Sequence, residues 1–174
     1  RYKSNENENS ESLRKMFIAM AKDIRVIMVK LADRLNNMRT LDNMSGEHKV
    51  RKSLDTRDVY IPIAERLGFG SIKGELEDLC FKYLYPKEEQ EISALLEHTL
   101  KRHSGDLENV NLELKKMLTE LKIEGDVKSR IKRKYSVYKK SQAKGLESIY
   151  DLLAHRVLVN SVKDCYYVLG EIHN

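Results

Sequence analysis

The amino-acid sequence predicts a mainly α-helical chain that ends in a short βα unit, and three features carry that reading. In residues 23–40, DIRVIMVKLADRLNNMRT, apolar Ile24, Ile27, Leu31, Leu35 and Met38 recur at steps of three and four, the period of a helix with one buried stripe. Residues 88–122 are charged and helical in pattern, with leucines at helix spacing. After Gly125 a basic run leads into a strand-like stretch at 154–159 and then another helical segment, VKDCYYVLGEIHN. A βα piece with no partner strand after it reads as the first half of an α/β domain.

The chain opens on a polar stretch, RYKSNENENSES, with no signal-peptide core and no initial Met, as expected of an excerpt from something longer. Ser10 and Glu11 suggest a helix start, and Met16, Phe17 and Met20 give the segment up to Lys22 an apolar stripe. The helix over 23–40 has an N-terminal half that is apolar almost all round (Val26, Met28, Val29, Ala32), which predicts passage through a core. LDNMSG then reads as a turn. A second long helix is expected over 47–67, with Val50, Leu54, Val59, Ile61 and Ala64 inward, and Pro62 should kink or split it. Gly68 and Gly70 should end it. Residues 71–85 predict a helix with Leu76, Leu79, Cys80 and Tyr83 inward, stopped by Pro86.

In residues 88–122 the expected buried positions are Ile92, Leu95, Leu96, Thr99, Leu112, Leu114, Leu118 and Leu121, with a possible break at His103-Ser104-Gly105. The heptad is too short-lived for a coiled coil, so a packed bundle helix is expected. Residues 122–126 suggest a short strand and turn.

Composition bounds the function. The 174 residues are 41% hydrophobic and 34% charged with net charge +5, enough for one medium domain or pieces of two. Cys80 and Cys165 lie far apart among apolar residues, which predicts buried free thiols in a reducing cytoplasm, not a disulfide framework or a zinc site. No apolar run approaches the roughly 18 residues of a membrane span.

Two stretches carry candidate chemistry. Asp33, Asn37 and Thr40, spaced by four and three, share one helix face. On a buried helix such a row needs partners, because burying each group unpaired costs roughly 1–3 kcal/mol. A metal or polar ligand would supply them. So would an ordinary structural cluster in which Asp33 pairs with Arg34, Arg39 or a neighbouring helix.

The second stretch, VKSRIKRKYSVYKKSQAK over 127–144, holds eight Lys or Arg and no acid, interleaved with Tyr135 and Tyr138. It reads as a solvated basic helix face, a nucleic-acid grip, or a polyphosphate site in which Arg and Lys stabilise charge in phosphoryl transfer.

Resemblance favours the last of these. The run LADRLNNMRTL is similar to a segment near the end of the hydrolase domain of the RelA/SpoT family, which makes and destroys (p)ppGpp. IPIAERLG followed by IKGELEDLCFKYL resembles that family's helical connector, SRIKRKYSVYKK resembles the start of its synthetase domain, and YDLLAHRV resembles a later synthetase motif. The resemblance implies that Asp33 is a Mn2+ ligand and that Asn37 and Thr40 face the (p)ppGpp. It likewise implies that Arg130, Lys132, Ser136 and Lys140 hold ATP phosphates, and that Asp151 binds Mg2+. Without it, Asp151 could equally be a helix cap or a partner for Arg156. Ser129 stands where the family usually has Gly, which bears on how closely the backbone approaches a phosphate. Tyr138 is expected to pack within its own domain.

The resemblance also implies domain limits: the C-terminal part of an HD-type hydrolase domain over 1–45, a helical connector bundle over 46–121, and the first βα part of a nucleotidyltransferase-like synthetase domain over 122–174. The implied activities are pyrophosphate transfer from ATP to the 3′-hydroxyl of GTP or GDP, and Mn2+-dependent removal of that pyrophosphate. Neither site is complete in these residues. None of the five histidines precedes an Asp, and a lone Asp33 cannot build a Mn2+ hydrolase centre. The remaining hydrolase ligands are expected upstream of Arg1. A second synthetase acid and a guanine-stacking aromatic are expected beyond Asn174. Implied partners are the nucleotides; ribosome or tRNA contacts would need residues outside this sequence, and no membrane is expected. The rival reading is a non-catalytic regulatory or nucleic-acid-binding helical module derived from the same family.

Overall fold

The computed structural model describes residues 23–146, 149 and 151–173. The helix expected before residue 23 lies outside the described residues. The chain divides after Pro86 into two compact units.

The first unit is all helical. α1 (Ile24–Arg39) is capped by Asp23, whose carboxylate accepts from the Arg25 backbone N–H at 2.9 Å. A 3-10 turn (Leu41–Asn43) leads to α2 (Gly46–Asp55), a π-helical turn (Thr56–Tyr60), α3 (Ile61–Arg66) and α4 (Gly70–Leu84). The expected long second helix is thus split, and the cause is Pro62 at the start of α3. Its ring lacks a donor and would clash with the carbonyl four residues back, so the preceding turn widens and Ile61 N–H reaches Thr56 O instead. Gly68 adopts φ +75 after α3, the left-handed geometry that favours glycine, whereas Gly70 opens α4 instead of closing the helix before it.

The core gathers Ile27, Leu31, Leu35, Met38, Leu41, Ile61, Ile63, Ala64, Leu76 and Cys80. Four of the five apolar positions expected on α1 are buried, but Ile24 is not, and Val26, Met28 and Val29 are exposed too, so the first half of α1 does not run through a core. On α2, Val50 and Leu54 are exposed, while Ser53 on α2 and Thr56 at the start of the π-helical turn, both small and polar, are buried instead. Short side chains let α4 approach: the Cys80 thiol donates to Ser53 O at 3.4 Å, and Thr56 satisfies its hydroxyl on Lys52 O at 2.7 Å. Phe81, not singled out by periodicity, is fully buried.

The second unit begins with α5 (Pro86–Glu120), kinked at His103, where φ −111 and ψ 15 leave the helical region. The kink resets the helical phase. Leu112, expected inward, is 65% exposed, while Leu118 is buried and Leu114 and Leu121 pack around it. Lys122 takes φ 56 and Ile123 N–H donates to Leu118 O at 2.9 Å, a left-handed helix stop that turns the chain into the sheet.

β1 (Gly125–Ile131), α6 (Lys134–Lys144), β2 (Leu153–Val159) and α7 (Val162–His173) follow. The strands pair antiparallel with Gly125 opposite Val159 and Ile131 opposite Leu153. The strand expected at 122–126 is therefore displaced into the basic run. β1 lacks alternating apolar residues, with only Val127 buried, so its identity comes from pairing with β2. Gly125 is required: a Cβ there would sit 2.7 Å from Leu158 O. Val127 joins Leu118 and Val168 in this unit's core. Cys80 is buried, but Cys165, expected buried, is exposed on α7. No helix among the described residues is long and apolar enough to cross a membrane.

Candidate functional site

Alternation along β1 divides its side chains between two faces. Val127 and Ser129 face α5. There Asn111 Nδ2 donates to Ser129 Oγ at 2.7 Å, and Asn111 Oδ1 lies 3.0 Å from His155 Nδ1, which donates to it. Ser129 and His155 are cross-strand partners, so one amide on α5 grips both strands. Ser129 therefore points its hydroxyl to the helix, away from the face that carries Lys128 and Arg130. No motif marked Asn111. Its signal was a polar residue at the same helical phase as Leu114, Leu118 and Leu121.

The open face supplies the charge. Lys128 and Arg156 stand directly opposite each other, and Lys128 Nζ is offset by Asp126 Oδ2 at 2.9 Å on its own strand. Beyond them Lys132 N–H donates to Leu152 O at 2.8 Å, which prolongs the pairing and brings residue 132 beside residue 151. Arg130, Lys132, Asp151, Leu152 and Ala154 line a cleft of about 200 Å³.

At this cleft two ammonium groups converge on one carboxylate oxygen. Lys132 Nζ lies 2.5 Å and Lys140 Nζ 2.7 Å from Asp151 Oδ2. Lys132 comes from just past the end of β1, Lys140 from α6, and Asp151 from the entry to β2. Asp151 is thus neither a helix cap nor the partner of Arg156. The hydrogen bonds from Lys132 and Lys140 hold its carboxyl well below the usual carboxylate range. The two lysines shift oppositely. Lys132, only 15% exposed, is pushed down by burial, which outweighs the pull of Asp151, while the more open Lys140 is pushed up by Asp151. Ser136 is half-buried in the first turn of α6 and is not among the residues lining the cleft. The rings of Tyr135 and Tyr138 pair with each other at 6.1 Å.

The α1 row has the expected spacing but not the expected burial. Asp33, Asn37 and Thr40 are all exposed, so water can satisfy them and no bound partner is demanded. Asn37 Nδ2 donates to Asp33 Oδ2 at 3.2 Å, and Thr40 Oγ1 donates to Asn36 O at 3.2 Å. The alternative pairings of Asp33 with Arg34 or Arg39 do not form. Arg34 stacks on Tyr60 at 4.0 Å, and Arg39 makes a two-pronged contact with Glu75 at 2.6 and 2.9 Å. Lys82 and Tyr83 bind Asp42, so α4 also holds the turn that follows α1. Among the described residues no three His, Cys, Asp or Glu group closely enough to hold a metal ion.

Comparison with known proteins finds two family models on the chain. A family model described as HD domain matches residues 1–70, and one described as a region found in RelA / SpoT proteins matches residues 129–174. The chain is 44% identical over 172 residues to a GTP pyrophosphokinase of Myxococcus xanthus, covering 98% of this chain and 23% of that protein. It is 44% identical over 173 residues to a GTP pyrophosphokinase of Streptomyces coelicolor, covering 98% of this chain and 20% of that protein. A Brucella melitensis relative, GTP pyrophosphokinase rsh, is 40% identical over 166 residues, 94% of this chain and 22% of its own length. The chain spans between a fifth and a quarter of these relatives. With HD-domain and RelA/SpoT sequence in one chain and this identity along nearly all of it, the chain belongs to the RelA/SpoT family.

Proposed function

We propose that the cleft between the end of β1, α6 and the entry to β2 is the ATP-phosphate side of a (p)ppGpp synthetase site. The observation that carries this reading is the meeting of Lys132, Lys140 and Asp151 beside Arg130 in one cleft. Arg130 offers a planar fork for phosphate oxygens, and Lys132 and Lys140 offer point charges. Ser136, in the first turn of α6, would contribute a hydroxyl from the same helix as Lys140.

Asp151 fits Mg2+, which takes one or two carboxylates together with phosphate oxygens. The ion would supply charge neutralisation on the polyphosphate. The side chains' own task is to hold the phosphates in line and offset charge as pyrophosphate passes from ATP to the 3′-hydroxyl of GTP or GDP. In the first unit, Asp33 would give one ligand of a Mn2+ hydrolase site, with Asn37 and Thr40 toward the (p)ppGpp. The remaining ligands would come from outside the described residues. On this reading residues 1–45 belong to the hydrolase domain, 46–121 to the helical connector and 122–174 to the synthetase domain, and the protein works in the cytoplasm.

The test is binding of ATP with Mg2+ by calorimetry. Arg130→Ala and Lys140→Ala should each weaken it about tenfold, the loss of one charge-assisted hydrogen bond of ~1.5 kcal/mol. Unchanged affinity in both, or preferential RNA binding with a steep salt dependence, would sink the reading in favour of a nucleic-acid-binding module. The 174-residue chain by itself should turn over neither ATP with GTP nor ppGpp with Mn2+. Turnover of either would show that the missing ligands are not needed.

A further inference from the structure

The pairing at Asp151 has a consequence for what the cleft can load, and it rests on the phosphate-site reading above. Both lysines contact the same oxygen, Oδ2, so a divalent cation taking that oxygen must displace them. A polyphosphate taking the two ammonium groups must in turn strip Asp151 of its counter-ions and leave a bare carboxylate beside more negative charge. Either ligand alone therefore breaks favourable contacts and creates repulsion. Together they would exchange partners: the phosphates would take Lys132 and Lys140, and the freed Asp151 carboxylate would hold the cation and offset its charge.

We propose that Asp151 is a specificity-determining counter-anion, making the cleft accept a polyphosphate and its divalent cation as a unit and reject each alone. The screen is moderate, because Asp151 is 58% and Lys140 51% exposed, and exposed ion pairs are weak. Lys132, at 15% exposed, is the tighter half of the lock. Because one lysine follows β1 and the other lies on α6, the exchange would also release the tie between α6 and the entry to β2.

Inorganic tripolyphosphate is the probe, titrated calorimetrically into the chain with Mg2+ or with EDTA. Wild type should bind it in Mg2+ and much more weakly in EDTA. Asp151→Asn should bind the metal-free probe more tightly than wild type, by roughly two- to fivefold, the equivalent of one exposed pair released. The advantage of Mg2+ should shrink in the same variant. Glu171→Gln, on the exposed face of α7, removes the same charge and should change nothing. In the converse arm, Lys132→Met should raise affinity for Mn2+ alone, followed by the loss of the free-ion electron paramagnetic resonance signal. Asp151→Asn binding metal-free tripolyphosphate no better than wild type overturns the proposal while leaving the phosphate site intact. Wild type failing to bind in either condition overturns both.

Discussion

Asn111 and Ser129 join α5 to β1 through a 2.7 Å hydrogen bond, and the other end of the same amide accepts from His155 on β2. Ser129 immediately precedes Arg130, so the contact fixes which face of the strand the arginine takes. Replacing Asn111 by Leu should cost about 1–3 kcal/mol, because the partly buried His155 loses its acceptor. Urea unfolding of the second unit would measure it, and an unchanged midpoint would mean that water serves equally well.

Gly125 sets how closely the strands approach. A Cβ there meets Leu158 O at 2.7 Å, and backbone cannot swing aside as a side chain can. Gly125→Ala should destabilise by about 1–3 kcal/mol, the usual cost of overpacking. Gly105→Ala, in open space on α5, should stabilise slightly or not at all. Thermal melting of the two variants side by side checks the difference, and equal melting temperatures would argue against a strand-spacing role.

Acid should reveal the Asp151 pairing. Its folded-state carboxyl lies below the ordinary 3.8, through its hydrogen bonds to Lys132 and then Lys140. The contribution to stability is therefore complete only above about pH 5 and declines as pH falls through the ordinary carboxyl range, where the unfolded chain takes up the proton first. Carboxyl-carbon NMR should show Asp151 still ionised when exposed glutamates have titrated. Lys140→Ala should move its midpoint upward, and no movement would remove Lys140 as a cause.

The thiols should differ sharply in reactivity. Cys80 is buried and pushed up to about 12, so it stays protonated and shielded at neutral pH, whereas Cys165 is exposed. An aromatic disulfide reagent should label Cys165 rapidly in the folded chain and Cys80 only after denaturant. Rapid labelling of both would show that α4 opens readily.

Local pattern carried most of α1, because a helix is a local object: α1 buries Ile27, Leu31, Leu35 and Met38 at the predicted spacing. The family was legible in motifs for the same reason, since LADRLNNMRTL and YSVYKK are contiguous. What the residues could not say was which faces are covered. The row of Asp33, Asn37 and Thr40 keeps its spacing but lies on the exposed side, because burial depends on elements distant in sequence. The basic run likewise gave no hint that its first half is a strand. Pairing with residues 153–159 makes β1, and that pairing puts Lys132 beside Asp151. Residue identities and the phase of α1 over residues 27–38 belonged to the sequence, whereas the phase of α2 and of α5 past the His103 kink did not. Strand register, the clamp at Asn111 and the convergence of two lysines on one carboxylate belonged to the tertiary structure, since each depends on contacts between segments far apart in the chain.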